Sequence, residues 1–510
     1  KRDKFQNINK DSFQMNEKKD DVVVIGCGNA ALCSALSARD GGASVLVLEK
    51  APEPWRGGNS AFSGGLFRFA FQGMDDIYEL VPDLSDEEKE NIEIEPYTHE
   101  KFFDDLARVT EYQTDGDLAS TLIDQSLPTL KWMQSKGLRL VLAGGRQAFK
   151  VDGKLRFWGG LILEIVGGGW GLIDALLEAA SNADVEIRYE SKATKLITDS
   201  NGRVTGVSVR GPEGSYDVHA SSVVLASGGF EANSEMRCRY LGPGWELAKV
   251  RGTPYNTGDG IKMALDIGAQ PYGHWSGCHS VAWDLNAPAF GDLTVGESFQ
   301  KHSYPFAVVV NINGERFLDE GADFRNYTYA KYGGLIMEQP QRTAYQIFDQ
   351  KTLHLMRDEY RIRDVTKTEA NTLEELAEKL EINVENFVKT IKEFNSSIEP
   401  VKFDPTVKDG KCTKGITPPK SNWAQPIDEP PYEAYSVTTG ITFTFGGIRV
   451  NNKAEVINTE NNIIPGLFAA GELVGGVYYF NYPGGAGLTL GAVYGRLAGI
   501  AASANAKAES

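Results

Sequence analysis

Residues 21–31 read DVVVIGCGNAA, and this stretch decides the fold. Asp21 to Ile25 is an apolar, β-branched run of strand type, GxGxxA follows at once in Gly26-Cys27-Gly28-Asn29-Ala30-Ala31, and strong helix formers then run to Arg39. Gly41-Gly42 stops that helix, and Val45 to Leu48 supplies the next strand. Strand, tight turn, helix and strand within about 30 residues is the spacing of a parallel Rossmann unit. In that setting Gly26 and Gly28 let a pyrophosphate approach the backbone, while Asn29 and Ala30 open a helix whose free N–H groups and dipole attract it. Glu49 closes the second strand, where a carboxylate accepts hydrogen bonds from a ribose diol and repels a 2′-phosphate. The other reading of GxGxxA is a strand-to-helix turn with no ligand, and FAD and NAD share this half-site.

Around this unit lie 510 residues, 41% of them hydrophobic and 24% charged, enough for two domains with full cores. Fifty-two Lys and Arg against 69 Asp and Glu give a net charge of −17, which argues against nucleic acid or anionic lipid as partners. Cysteines 27, 33, 238, 278 and 412 form no CxxC pair and no Cys/His cluster, so neither a disulfide framework nor a metal site is expected. No apolar run reaches the roughly 18 to 20 residues of a spanning helix. A cytoplasmic protein is expected, with residues 1–20 as a flexible leader.

Further along, glycines crowd residues 57–65 and 159–171. Glu186 to Val209 reads as a hairpin with Asn201-Gly202 at its turn, and Ser222 to Ala226 as a buried strand. The texture changes near Lys301: Phe306 to Ile312 is strand-like, and Ala330 to about Ser396 is largely charged and helix-periodic. Prolines at 418, 419, 426, 430 and 431 lead out of this region into a final return to strand, glycine and helix. The expected fold class is α/β: a Rossmann-type nucleotide-binding domain in two pieces, 21–300 and 438–506, with an inserted α+β capping domain at 301–437.

Beyond the half-site, Glu49-Lys50, Gly57-Gly58-Asn59-Ser60, Gly64-Gly65, Ala226-Ser227-Gly228-Gly229, Asn256-Thr257-Gly258-Asp259-Gly260 and Pro465-Gly466-Leu467-Phe468-Ala469-Ala470-Gly471-Glu472 follow one another across nearly the whole chain. Together they resemble the signatures of the fumarate reductase/succinate dehydrogenase flavoprotein superfamily. The resemblance implies FAD, cradled by Gly26, Gly28, Asn29, Ala30, Glu49, Lys50, Gly57, Gly58, Asn59, Ser60, Gly64, Gly65, Ala193, Ala226, Ser227, Gly228 and Asp259. It also implies that Glu472 binds the ribityl chain and that Gly487, Leu488 and Thr489 bring N–H groups to the pyrimidine edge, where donors stabilise the reduced anion. Succinate dehydrogenases of this superfamily tether the flavin through a histidine beside the early glycines. Gly58 and Asn59 stand there in this chain, so non-covalent FAD is expected.

Oxidation of an unactivated C–H bond by hydride transfer needs a second group to take the proton. Asn311 to Glu320 (NINGERFLDE) resembles the capping-domain stretch after which fumarate reductases place a proton-relay arginine, and Arg325 is the matching residue. The resemblance implies Arg325 as the proton-transfer group, supported by Glu320 and Tyr327. An ordinary Glu320–Arg325 ion pair at a domain surface is the alternative. Tyr478 and Tyr482 stand where fumarate reductases carry a histidine and an arginine that clamp the substrate, and Tyr482-Pro483-Gly484-Gly485 is similar instead to a stretch of 3-ketosteroid dehydrogenases whose tyrosine hydrogen-bonds a carbonyl.

Gly28 to Cys33, Arg56 to Phe62, His274 to His279 and Asp323 to Tyr327 resemble tricarballylate dehydrogenases, which form cis-aconitate. A tricarboxylate needs several cationic or neutral donors. His279, Arg251, Tyr478 and Tyr482 are the substrate-binding candidates, with Arg68, Arg146 and His302 as further donors. Gly168, in the run Gly167-Gly168-Gly169-Trp170-Gly171, reads either as a carboxylate receptor through backbone N–H groups or as a tight turn. The function so implied is a dehydrogenase forming or reducing a C=C bond in a small polycarboxylate, with a separate electron-acceptor protein or quinone-linked partner. A cyclic-ketone or steroid dehydrogenase, a fumarate-reductase-like ene-reductase and a flavoprotein without catalysis remain as rivals.

Overall fold

The computed structural model describes residues 20–157 and 160–509. The expected leader lies outside the described residues apart from Asp20, which is the first residue of a strand.

Asp20–Ile25 and Val45–Leu48 are parallel neighbours, with Val22 opposite Val45 and Ile25 opposite Leu48. Every residue of the second strand is buried. Asn29–Asp40 crosses between them as the helix that the GxGxxA turn opens. The sheet has eight strands. On one side of the first strand, Ala220 to Leu225 runs parallel to it and next to Ile463–Ala469. On the other side, Glu186–Arg188 lies parallel to Val45–Leu48. That placement corrects the expected hairpin, which runs instead from Lys192–Thr198 to Val204–Gly211 and keeps its turn at Asn201-Gly202. The reason is local: Glu190 takes a left-handed φ of 51° and turns the chain. The open edge of Val45–Leu48 pairs with the three residues before that turn.

The C-terminal helix Ala486–Glu509 covers the first helix closely. A Cβ on Gly495 would lie 2.5 Å from the Ala30 carbonyl oxygen, and one on Gly499 2.3 Å from that of Ser34. Small residues bring the two backbones together here and bury Ala31, Leu32, Ala35 and Leu36 beneath them. Each buried leucine contributes about 2 kcal/mol relative to an exposed one.

A second, six-stranded sheet is built on the long strand Tyr432–Ile448. Pro271–Asp284 and Lys367–Ala370 pair with it antiparallel, as does Ala344–Phe348, which carries Val308–Asn311 on its far edge. This sheet runs across both expected boundaries, because Pro271–Asp284 precedes residue 301 and the long strand begins before residue 438. The region read as largely helical also contains two of its strands, Ala344–Phe348 and Lys367–Ala370. Ala344–Phe348 is buried at every position, and a short apolar run of that kind has no period that separates strand from helix. Leu376, Phe387, Ile391 and Phe394 pack on Val308, Val310 and Ile347 as the core of this cap. The fold is thus a Rossmann-type domain joined to a capping layer, and the space between the two sheets is where the site forms.

Candidate active site

A cavity opens at the carboxyl ends of Asp20–Ile25 and Val45–Leu48 and reaches the capping sheet, enclosing with its mouth about 1850 Å³ of empty space. Gly26, Gly28, Asn29 and Ala30 line its first end. Gly26 has φ 107°, and a Cβ there would lie 2.4 Å from the Ala226 carbonyl oxygen, so only glycine leaves the backbone free for a ligand's approach. Glu49 stands on the wall with Oε1 accepting from the Ala51 N–H at 2.7 Å, and burial pushes its carboxyl upward. Lys50 and Lys192 bracket Asp259 at 2.6 and 2.7 Å. Although burial pushes that carboxyl up, their hydrogen bonds hold Asp259 below the usual range.

Gly58, Asn59, Ser60, Gly64, Ala193, Ala226, Ser227, Gly228, Gly487 and Leu488 complete this end. Asn59 is fixed by donating to Glu231 at 2.6 Å and to the Thr442 carbonyl at 2.7 Å, and Ser60 accepts from the Asn29 N–H at 3.2 Å. Glu472 accepts from the Thr444 N–H at 2.9 Å. Its neighbour Glu231 is fully buried and accepts from Asn59 and Asn256. Burial and the Glu472 charge push the Glu231 carboxyl well above its ordinary value, so the pair holds a proton. Glu231 follows the Ser227-Gly228-Gly229-Phe230 turn directly, the one sequence signal that could have found it. Free glycines at a helix N-terminus, a ribose-facing carboxylate and a long apolar-floored cavity fit a flavin dinucleotide.

Three expected cradle residues support it from outside the cavity wall. Gly57 turns the chain against Ile173, and Gly65, with φ 68°, packs on the backbone of Gly168. Thr489 donates to the Arg68 carbonyl at 2.7 Å. Gly168 itself is not on the wall: its helix begins against Ser63 and Gly64, with the Gly169 N–H bonded to the Ser63 carbonyl at 2.9 Å. Gly167 and Gly168, with φ 83° and 64°, turn the chain into that helix behind the wall.

The cavity's other end gathers His279, Arg251, Tyr478, Tyr482 and Arg325, as expected, together with Arg146 and His302. Arg251 pairs with Glu297 at 3.0 Å, and Arg146 pairs with the same carboxylate. The Tyr329 and Tyr482 hydroxyls hydrogen-bond each other. His279 stands edge-on to Tyr329 with ring centroids 5.0 Å apart, and neither of its ring nitrogens has a partner. Burial and Arg251 push it well below the usual histidine range. Arg325 is 8% exposed. Its Nη1 meets His302 Nδ1 at 3.3 Å, and its Nε and Nη2 have no hydrogen-bond partner.

Two expected catalytic residues lie elsewhere. Glu320 is fully buried beside the strand Val308–Asn311, accepting from the Val309 N–H at 2.9 Å and from Arg316 Nε at 3.0 Å. Arg316, four residues before it, takes the carboxylate that was expected to support Arg325. Tyr327 donates to Asp105 at 2.6 Å and accepts from Arg68 at 3.2 Å, in a network behind the wall. Arg68 belongs to that network too, fully buried and bonded to the Gly484 carbonyl at 2.8 Å. Tyr329, Glu297 and Arg357 line the cavity without having been foreseen. They sit on three separate segments; Tyr329 lies just beyond the Asp323–Tyr327 stretch, while no local motif marks Glu297 or Arg357.

The chain matches the FAD binding domain family over residues 21–488. It is 30% identical to the fumarate reductase (cytochrome) of Shewanella frigidimarina over 96% of this chain and 77% of that protein. It is 26% identical to the 3-oxosteroid 1-dehydrogenase of Mycolicibacterium smegmatis over 97% of this chain and 99% of that protein. The solved open conformation of a flavocytochrome c3 fumarate reductase superposes with a TM-score of 0.70 at 28% identity, over 96% of this chain and 78% of that one. Among the described residues no helix is long and apolar enough to cross a membrane. The chain belongs to the FAD binding domain family, within the fumarate reductase/succinate dehydrogenase flavoprotein superfamily, and is an FAD-dependent oxidoreductase acting on CH–CH bonds.

Proposed function

We propose that this enzyme dehydrogenates a small polycarboxylate, in the manner of tricarballylate to cis-aconitate, with FAD held non-covalently and a separate protein or quinone-linked acceptor in the cytoplasm. The observation that carries this reading is Arg325, a buried guanidinium with Nε and Nη2 unbonded on the wall of the cavity. A buried cation with unmet donors is costly unless an anion completes it, and a carboxylate matches the guanidinium fork. Arg251, Arg146 and Arg357 add to the positive character of this end, against the carboxylates of Glu297 and Glu359.

When bound, FAD supplies the hydride acceptor. Having released one of its own protons to water, Arg325 takes the substrate's second hydrogen as a proton, so the C–H pair leaves as hydride and proton and a C=C bond remains. Arg251, His279, Tyr478 and Tyr482 hold the carboxylates. A second reading, a cyclic-ketone dehydrogenase, is favoured by one feature: the hydrogen-bonded Tyr329–Tyr482 pair beside the Phe443 ring, which could polarise a carbonyl. Anaerobic titration of the yellow protein separates the two. Bleaching of the flavin band near about 450 nm by tricarballylate supports the first reading, and bleaching by a 3-ketosteroid alone overturns it.

A further inference from the structure

The contact between Arg325 Nη1 and His302 Nδ1, at 3.3 Å, fixes more than a distance. A guanidinium, the form Arg325 takes in the resting enzyme, carries five N–H donors and no acceptor. The hydrogen in this contact is therefore Arg325's, and His302 Nδ1 receives it with its lone pair. A neutral imidazole that accepts at Nδ1 carries its own hydrogen at Nε2. His302 Nε2 has no hydrogen-bond partner, in a residue that is 2% exposed and lines the cavity. The ring is held in place by Tyr329, edge-on with centroids 4.9 Å apart. Its backbone is pinned on both sides: the Ser303 N–H donates to Tyr360 at 2.8 Å, and the Lys301 carbonyl accepts from Gln346 at 2.9 Å.

We propose that His302 and Arg325 form one anion-binding subsite, in which His302 is fixed as the Nε2–H tautomer and donates to the substrate carboxylate that Arg325 also holds. The ligand named here rests on the polycarboxylate reading above. His302 is a specificity residue: its fixed donor favours a group that only accepts, which is what distinguishes a carboxylate from a hydroxyl or an amine.

The test uses the oxidised holoenzyme with cis-aconitate, an unsaturated ligand that the oxidised flavin has no hydride to draw from, and reads affinity from the flavin difference spectrum. His302→Asn keeps an acceptor for Arg325 and removes the distal donor, whereas His302→Gln places an amide N–H near the former Nε2. The Asn variant is expected to bind about 10- to 100-fold more weakly than wild type, with the Gln variant recovering most of the loss. The effect falls on KM while kcat at saturation moves little. On the wild type alone, ¹⁵N spectra of the six histidine rings, assigned by the loss of one signal set in either variant, are expected to show His302 protonated at Nε2. Equal affinities of the two variants, or a proton found at Nδ1, overturn the subsite. A wild type that binds neither cis-aconitate, citrate nor succinate overturns the polycarboxylate reading, and the carboxylate ligand of this subsite falls with it.

Discussion

The two ends of the cavity differ in how their polar groups are satisfied. At the nucleotide end, Lys50, Asn59, Asp259, Glu231 and Glu472 spend their hydrogen bonds on neighbouring side chains or on the backbone, leaving Ser227 Oγ without a partner. At the capping end, His279, His302, Arg325, Arg251 and Tyr478 all keep buried polar atoms without partners. An unmet buried group costs about 1–3 kcal/mol, so the capping end gives up folding stability that the nucleotide end keeps. A scaffold that must hold its shape around a long cofactor satisfies itself. The capping end leaves polar atoms free for a bound molecule to meet.

The sharpest way to break this comparison is to alter Arg325, the cation proposed both to bind substrate and to take its proton. Arg325→Lys keeps the charge but loses the planar fork and the reach to His302, and kcat is expected to fall about 10²- to 10⁴-fold with flavin content unchanged. A loss below tenfold would remove Arg325 from the chemistry. Glu320 offers the opposite outcome, since the carboxylate that the motif points to is engaged by Arg316. Glu320→Ala is expected to lower stability by about 3–5 kcal/mol, because it leaves Arg316 buried without its partner. Turnover per bound flavin should stay at the wild-type value, measured by stopped-flow reduction beside urea unfolding.

At the nucleotide end the test is steric. Gly26→Ala meets the Ala226 carbonyl at 2.4 Å and forces an L-residue to φ 107°, a strain of about 1–3 kcal/mol. FAD affinity is expected to drop about 5- to 150-fold by fluorescence titration, and an unchanged affinity would show that this turn tolerates a side chain.

The same contrast explains what could be read from the sequence. The nucleotide end was legible because its residues act through local backbone geometry: Gly26, Gly28 and Glu49 stand in one strand-turn-helix-strand unit with fixed spacing. The capping end draws on residues from 146 to 482, and what decides their roles is pairing across the fold. Glu320 and Arg325 are five residues apart, yet a 3₁₀ turn at Arg325–Tyr327 aims Arg325 at the cavity while Glu320 stays with the cap core. Tyr329, two residues beyond the foreseen Tyr327, is the tyrosine on the wall. Motif position identified the segment, and side-chain direction chose the residue.

The smallest expected effect separates the two ends by the sign of a slope. Burial, reinforced by nearby guanidiniums, holds His302 and His279 neutral and well below the ordinary histidine range. Below about pH 6.5 the unfolded chain binds protons at these rings that the folded chain does not, so their effect on stability worsens as pH falls. The loss in unfolding free energy between pH 7.5 and 5.5 should therefore be smaller in His302→Gln than in wild type. Glu231 runs the other way: burial and Glu472 raise its folded-state value, so the folded chain holds a proton that the unfolded chain releases above about pH 4.5. Its contribution declines as pH rises, and Glu231→Gln should gain stability relative to wild type from pH 5.5 to 7.5. Parallel slopes for the two variants in urea unfolding would mean that the cavity has one electrostatic character throughout, and the distinction between a self-satisfied cradle and an end with unpaired polar groups would not stand.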